Sequence, residues 1–175
     1  MIFRPATIAD IHQCERLDGS YVTDYVWQME EAVTADSVGV TFRRTRTPRR
    51  MDVPYPREIQ DLYEDWQRNE CFLVAEELGS VFGYLDMTVR HWRWHGWIEH
   101  LVIDRPVRDH GLATRLLEAA ERWGRGSELE SITIPLQPKN DPAIRFVARR
   151  GYAFGGFVDR YFTNGDIALL FVLRL

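Results

Sequence analysis

The stretch Leu101-Val102-Ile103-Asp104-Arg105-Pro106-Val107-Arg108-Asp109-His110-Gly111-Leu112-Ala113-Thr114 joins an apolar run, a charged loop and a glycine at the start of a helical pattern. Glycine and alanine in a first helical turn let a ligand approach the backbone closely. The N–H groups at that positive helix end suit an anion such as a pyrophosphate. Ordinary β-loop-α connections also use glycine here, so the motif alone leaves both uses open. It is neither the Gly-rich Lys-Ser/Thr loop of nucleotide hydrolases nor the three-glycine dinucleotide fingerprint. Just upstream, Glu99 lies in an apolar run beside Trp97 and Leu101. Strand alternation puts these three on one face, which gives Glu99 bulky apolar neighbours; a carboxylate on the exposed face of an antiparallel strand is the alternative reading. His91, His95 and His100 cluster nearby, but without a Cys or carboxylate at ligand spacing they predict no metal site. His100 alternates away from Glu99, to pack or to face solvent.

The elements that must position these groups read from periodicity. Ile2 to Ala6 is a short strand, and Thr7 caps an amphipathic helix containing Ile8 and Ile11. The aromatic and acidic segment Ser20 to Glu31 fits no period. Val38 to Thr45 reads as a strand running into the basic residues Arg43, Arg44, Arg46, Arg49 and Arg50, broken by Pro48 and read as a solvated hairpin or loop. After Pro54 and Pro56, helical spacing of Ile59, Leu62, Tyr63 and Trp66 predicts a helix from about Arg57 to Arg68. Cys71 to Glu76, Val81 to Val89 and Trp94 to Ile103 form a meander. A helix from Gly111 to Trp123 then presents Leu112, Leu116, Leu117, Ala120 and Trp123 on one face. Ser131 to Leu136 is a strand, Asp141 to Arg150 a helix stopped by Gly151, and Tyr152 to Val158 and Ile167 to Leu173 are closing strands. This order predicts one α/β (α+β) domain over residues 1–175, with a mixed, mostly antiparallel sheet of about seven strands and helices on both faces.

Composition limits the partners. A chain of 175 residues that is 45% hydrophobic and 13% aromatic can fill one core. With 22 Lys plus Arg against 26 Asp plus Glu, a net charge of -4 argues against nucleic acid and anionic membranes and favours a cationic partner. Two cysteines, Cys14 and Cys71, make no disulfide framework, and the N-terminus carries no apolar leader. A cytoplasmic protein is expected, and a homodimer is left open.

The segment from Cys71 onward resembles the GNAT superfamily of N-acetyltransferases. Its signature, Arg/Gln-x-x-Gly-x-Gly/Ala after an apolar strand, is met by Arg108, Gly111 and Ala113, with further matches at Asn140, Ala143, Phe146 and Gly151-Tyr152. The ending Gly151 to Asp159 with Asp166 to Phe171, and the segment Thr23 to Gln28, are similar to the streptothricin acetyltransferase group. The resemblance implies a GNAT-like domain that uses acetyl-coenzyme A as cosubstrate and no metal. The backbone from Arg108 through Asp109, His110, Gly111, Leu112 and Ala113 to Thr114 would hold the pyrophosphate. The edge of Leu101, Val102 and Ile103 would pair with pantetheine. Asn140 and Phe146 would flank the thiol end, although Asn140 as a plain helix cap is equally compatible.

Transfer to an amine requires a neutral nucleophile, because an ammonium group with a pKa of about 10.4 must first lose a proton. Glu99 is the candidate base. Many family members place a tyrosine directly after the residue matching Phe146, to protonate the departing thiolate; here that residue is Val147, leaving Tyr152 and Tyr161 as substitutes, or water. Asp24 beside Tyr25 and Trp27 would attract a small polycationic amine, such as a streptothricin-like compound or polyamine; ordinary core aromatics and surface acids are the alternative reading. A coenzyme A-binding regulatory protein with little turnover is the competing function.

Overall fold

The computed structural model describes residues 1–57 and 62–175. Nine strands and four helices follow in the order β1 (Ile2–Pro5), α1 (Ile8–Cys14), β2 (Tyr21–Val33), β3 (Val38–Val53), α2 (Leu62–Gln67), β4 (Cys71–Glu77), β5 (Ser80–Arg90), β6 (His95–Ile103), α3 (Leu112–Gly126), β7 (Ser131–Leu136), α4 (Asp141–Arg149), β8 (Ala153–Val158) and β9 (Ala168–Arg174) among these residues. Seven strands form one sheet in the order β1-β4-β5-β6-β7-β9-β8. All neighbours in it run antiparallel except β6 and β7. The mostly antiparallel α/β sheet is as expected from the sequence. Of the expected helix from Arg57 to Arg68, the position of Ile59 lies outside the described residues.

Two apolar clusters set the layers. Leu116, Leu117 and Ala120 of α3, with Ile144 and Val147 of α4, close over Leu85, Met87, Ile98 and Ile132. Ile11 of α1 and Leu62 of α2 pack with Val74, Tyr84 and Val102. Cys14 and Cys71 are buried free thiols, both pushed up to about 12 by burial, which keeps them in the inert thiol form.

The hairpin of β2 and β3 departs from the sequence reading. β3 does not end at Thr45; it runs through the basic residues and Pro48 to Val53. The ladder pairs Tyr25 with Arg46 and resumes with Thr23 opposite Met51, so residues 47–50 face a single opposing position, Asp24. Pro48 therefore sits in a bulge, where its missing N–H is not needed. A two-stranded ribbon is marginal alone, and this one is fastened to α4. Arg44 donates to both carboxylate oxygens of Asp141 at 2.7 and 2.9 Å, Trp27 Nε1 donates to Asp141 Oδ1 at 3.1 Å, and the Trp27 N–H donates to the Pro138 carbonyl at 2.9 Å. Asp141 is buried, so Asp141→Ala strands three donors. It is expected to lower the melting temperature by about 4–8 °C, the range for losing a buried charged acceptor in a domain of this size. A thermal melt that matches wild type would show that the contacts to the Asp141 carboxylate do not hold the hairpin in place.

Candidate active site

The site lies where the sheet opens. β6 and β7 pair only at His95–Trp97 with Ser131–Thr133, although β6 continues to Ile103 and β7 to Leu136. Beyond Trp97 the two strands separate. Within the same stretch β6 carries a bulge: His100 pairs with Asp86 and Ile98 with Met87, leaving Glu99 as the extra residue. The bulge reverses the alternation. Ile98 and Leu101, three residues apart, both pack on the α3 side, while His100 lies against Tyr55 and Tyr84 on the other. The expected grouping of Trp97, Glu99 and Leu101 thus holds only for the first two, and His100 is buried on the Glu99 side of the bulge.

A cleft of about 590 Å³ runs from this opening to the start of α3. Leu101 and Ile103 form one wall, Arg108, Asp109 and Gly111 to Thr114 its end, and Asn140 with Ala143 and Phe146 of α4 the facing wall; His110 does not line it. Gly111 precedes α3 with φ of 77°, and a Cβ built there meets no atom within 4 Å. The space beside Gly111 is thus open at the start of a 15-residue helix, whose first N–H groups have no partner within the helix. A cradle of this form fits the pyrophosphate of a coenzyme A, and the separated strand edge fits its extended pantetheine arm.

Arg108 contributes in a different way from a free cation. Its guanidinium donates to the carbonyls of Ile103, Ser20 and Asp18, fixing the loop against the segment before β2. Val102 turns into the opposite core, and His110 is exposed with Nδ1 2.8 Å from the Arg108 carbonyl. Asn140 caps α4 by accepting from the Ala143 N–H at 3.2 Å and borders the cleft as well. Unforeseen in the sequence are Arg145 and Arg149, on successive turns of α4, which line the cleft and make no ion pair or hydrogen bond among the described residues, although Arg145 acts electrostatically on Asp141.

A smaller pocket of about 80 Å³ adjoins the cleft and contains Glu99, Arg57, Ile134 and Phe162. Glu99 Oε2 accepts from Arg57 at 2.6 Å and Oε1 from the Thr88 hydroxyl at 3.2 Å. The Tyr161 hydroxyl oxygen accepts from Arg57 at 3.3 Å and from Trp97 Nε1 at 3.0 Å, which brings Tyr161 to the Glu99 group. Tyr152 is elsewhere: its hydroxyl donates to Glu121 at 3.3 Å inside the core beneath α3, and burial pushes it up. The structure thus removes Tyr152 from reach of the cleft. Tyr25 lies under the Arg44 guanidinium at 3.4 Å and Trp27 is tied to Asp141, so both are used in seating the hairpin; Asp24 is exposed at its bulge.

Residues 40–152 match the acetyltransferase (GNAT) family. The chain belongs to that family. It is 34% identical over 106 residues to the streptothricin acetyltransferase of Escherichia coli, a match spanning 59% of this chain and 58% of that protein, less than two thirds of its length. The fold superposes on the crystal structure of a nourseothricin acetyltransferase with a TM-score of 0.82, at 21% identity over 99% of this chain and 97% of that one. It also superposes on a Bacillus anthracis protein assigned as a streptothricin acetyltransferase and solved with acetyl-coenzyme A, with a TM-score of 0.79 at 18% identity over 99% and 98% of the two chains. At these identities the structural likeness concerns the fold. For a GNAT acetyltransferase, the acyl donor is acetyl-coenzyme A. Among the described residues no group of His, Cys, Asp and Glu is arranged to hold a metal, and no helix is long and apolar enough to cross a membrane.

Proposed function

We propose that the protein transfers the acetyl group of acetyl-coenzyme A to a primary amine of a small cationic compound of the streptothricin type. One observation carries this reading: the cleft with its helix-start cradle opens directly into the pocket that holds Glu99. The name of the Escherichia coli relative supports the acceptor class. When bound, the donor supplies an activated thioester. The Gly111 to Thr114 backbone holds its phosphates, the β6 edge orients its arm, and Glu99 accepts the amine proton while Arg57 and Tyr161 keep the carboxylate in place. The test is acetyl-coenzyme A-dependent thiol release across streptothricin, polyamines, aminoglycosides and amino acids. Turnover is expected with streptothricin and weak or none with anionic amino acids; the reverse preference would end the substrate assignment.

Arg145 and Arg149 would add charge at the phosphate end of the cleft, since Arg108 is engaged elsewhere. The double variant Arg145→Glu/Arg149→Glu should weaken acetyl-coenzyme A binding roughly tenfold at low salt. That difference should shrink as ionic strength rises, because exposed charges are screened. Titration calorimetry at two salt concentrations checks it. An unchanged dissociation constant at low salt would remove the two arginines from the donor site.

A further inference from the structure

Besides the cleft, α4 borders a second cavity, of about 620 Å³. That is the size of a small-molecule site. Phe42 of β3, Ile144 and Ala148 of α4, Phe154 of β8, and Leu169 and Phe171 of β9 wall it. The Phe42 and Phe171 rings stand edge-on to Phe154, at 5.7 and 6.1 Å between centroids, and Phe154 itself is 53% exposed. Apart from two arginines, only Trp27 and Thr41 bring polar side-chain atoms to the lining, and Trp27 Nε1 is spent on Asp141. Hydrocarbon suits such walls, and it would cover a ring that stands half in water.

The charge at this cavity is positive. Arg145 and Arg149 line it as well as the cleft, so they stand on the ridge of α4 between the two. They are one turn apart, where like charges repel. The Asp141 carboxylate, on which Arg145 acts, is held by Arg44 at 2.7 and 2.9 Å and does not neutralise the pair. A carboxylate placed between the two arginines relieves their repulsion and takes paired N–H bonds from a guanidinium fork.

We propose that the cavity binds a medium-chain fatty acid, its chain against Phe42, Phe154 and Phe171 and its carboxylate on Arg145 and Arg149, and that the bound acid weakens acetyl-coenzyme A binding. The site stands on the cavity alone. The coupling rests on the acetyltransferase reading above, in which the same arginines add charge at the phosphate end of the cleft. A carboxylate on the cavity side draws them from the donor phosphates. By linkage, acetyl-coenzyme A weakens the binding of the acid by the same factor.

Titration calorimetry with hexanoate, octanoate and decanoate, below micelle formation and without acetyl-coenzyme A, tests the site. Each added CH₂ should tighten binding about fourfold, the effect of burying one methylene. Octanol, with as many carbons and no charge, should bind at least about tenfold more weakly than octanoate. Ala148→Trp fills the cavity from α4 and Thr41→Trp fills it from the hairpin. Both positions are exposed and neither lines the cleft, so each variant should lose octanoate while binding acetyl-coenzyme A as the wild type does. Saturating octanoate should raise the acetyl-coenzyme A dissociation constant of the wild type, and Arg145→Gln/Arg149→Gln should abolish that rise. Fatty-acid affinity that ignores chain length, or that both tryptophan variants keep, overturns the site. Self-association that Ala148→Trp abolishes, with no uptake of octanoate, gives the face to a second copy of the chain and overturns it as well. Octanoate binding that leaves acetyl-coenzyme A affinity unchanged overturns the coupling. A protein that binds octanoate but no acetyl-coenzyme A at millimolar concentration keeps the site and ends the acetyltransferase reading, and the coupling with it.

Discussion

Acetyl-coenzyme A will raise the melting temperature of the wild type and leave that of Gly111→Val where it was. Ligand at a hundred times its dissociation constant stabilises the native state by about 2.7 kcal/mol, or roughly 5–10 °C for a domain of this size. Gly111 holds φ of 77° at the start of α3, a conformation in which a β-branched residue is strained by at least about 1–2 kcal/mol. No protein atom lies within 4 Å of a Cβ added there, so valine meets no neighbour inside the fold. The side chain instead fills the open end of the cleft, where the phosphates would sit, and relief of the strain turns the helix-start N–H groups away. The two effects act together on the anion seat, and a loss of affinity of at least about 100-fold is expected. Gly111→Ala separates them: it carries much of the strain with little bulk and should retain weak binding. A valine variant that keeps the wild-type shift would show that the phosphates are held elsewhere, and the acetyl-coenzyme A assignment of this segment would fall.

That segment was legible because its signal is local: an apolar strand, a loop and a glycine at a helix start are adjacent in the chain. The meander and α3 were legible for the same reason, since each buries one face regularly and leaves a period behind. The β2–β3 ribbon leaves one only over Val38 to Thr45, the first half of β3. Most of its residues are exposed or half-buried on both faces, so alternation does not mark the rest, and what seats it is Asp141 of α4, far away in sequence. The bulge at Glu99 was hidden too, because one extra residue in a strand changes pairing without changing composition. Its consequence was the misplacement of Leu101 and His100 relative to Glu99. Tyr55 and Arg57 come from the irregular run Pro54-Tyr55-Pro56-Arg57, where no periodic pattern points anywhere, yet they meet Glu99 and His100 across the splayed strands. Tyr152 shows the opposite error. Nearness in sequence to the expected acid position made it a candidate, whereas the turn after α4 sends its hydroxyl to Glu121 in the core.

Glu99→Gln should lower kcat near neutral pH by about 10²- to 10⁴-fold, the usual range for loss of a general base, while the affinity for acetyl-coenzyme A stays near wild type. Glutamine keeps the size of the side chain; its carbonyl oxygen can accept from Arg57 while its amide N–H donates to the Thr88 hydroxyl, which can turn its own proton to the Trp97 carbonyl, so the pocket should keep its shape. What it cannot do is take a proton from an ammonium group. The decisive measurement is the pH dependence. An aliphatic amine with a pKa of about 10.4 is almost wholly protonated at pH 7, but a rise to pH 9.5 increases the neutral fraction several hundredfold. Neutral amine needs no base, so the gap between variant and wild type should narrow steadily as pH rises. A structural role for Glu99 predicts otherwise, because a pocket disturbed by an uncompensated Arg57 is equally disturbed at every pH in this range. Arg57→Gln provides the control, since it frees Glu99 from its 2.6 Å partner without removing the carboxylate and should preserve the wild-type pH profile at reduced rate. A Glu99→Gln enzyme whose rate falls by the same factor from pH 7 to 9.5 would make Glu99 a structural counter-ion to Arg57 and require the amine to lose its proton before it enters the pocket.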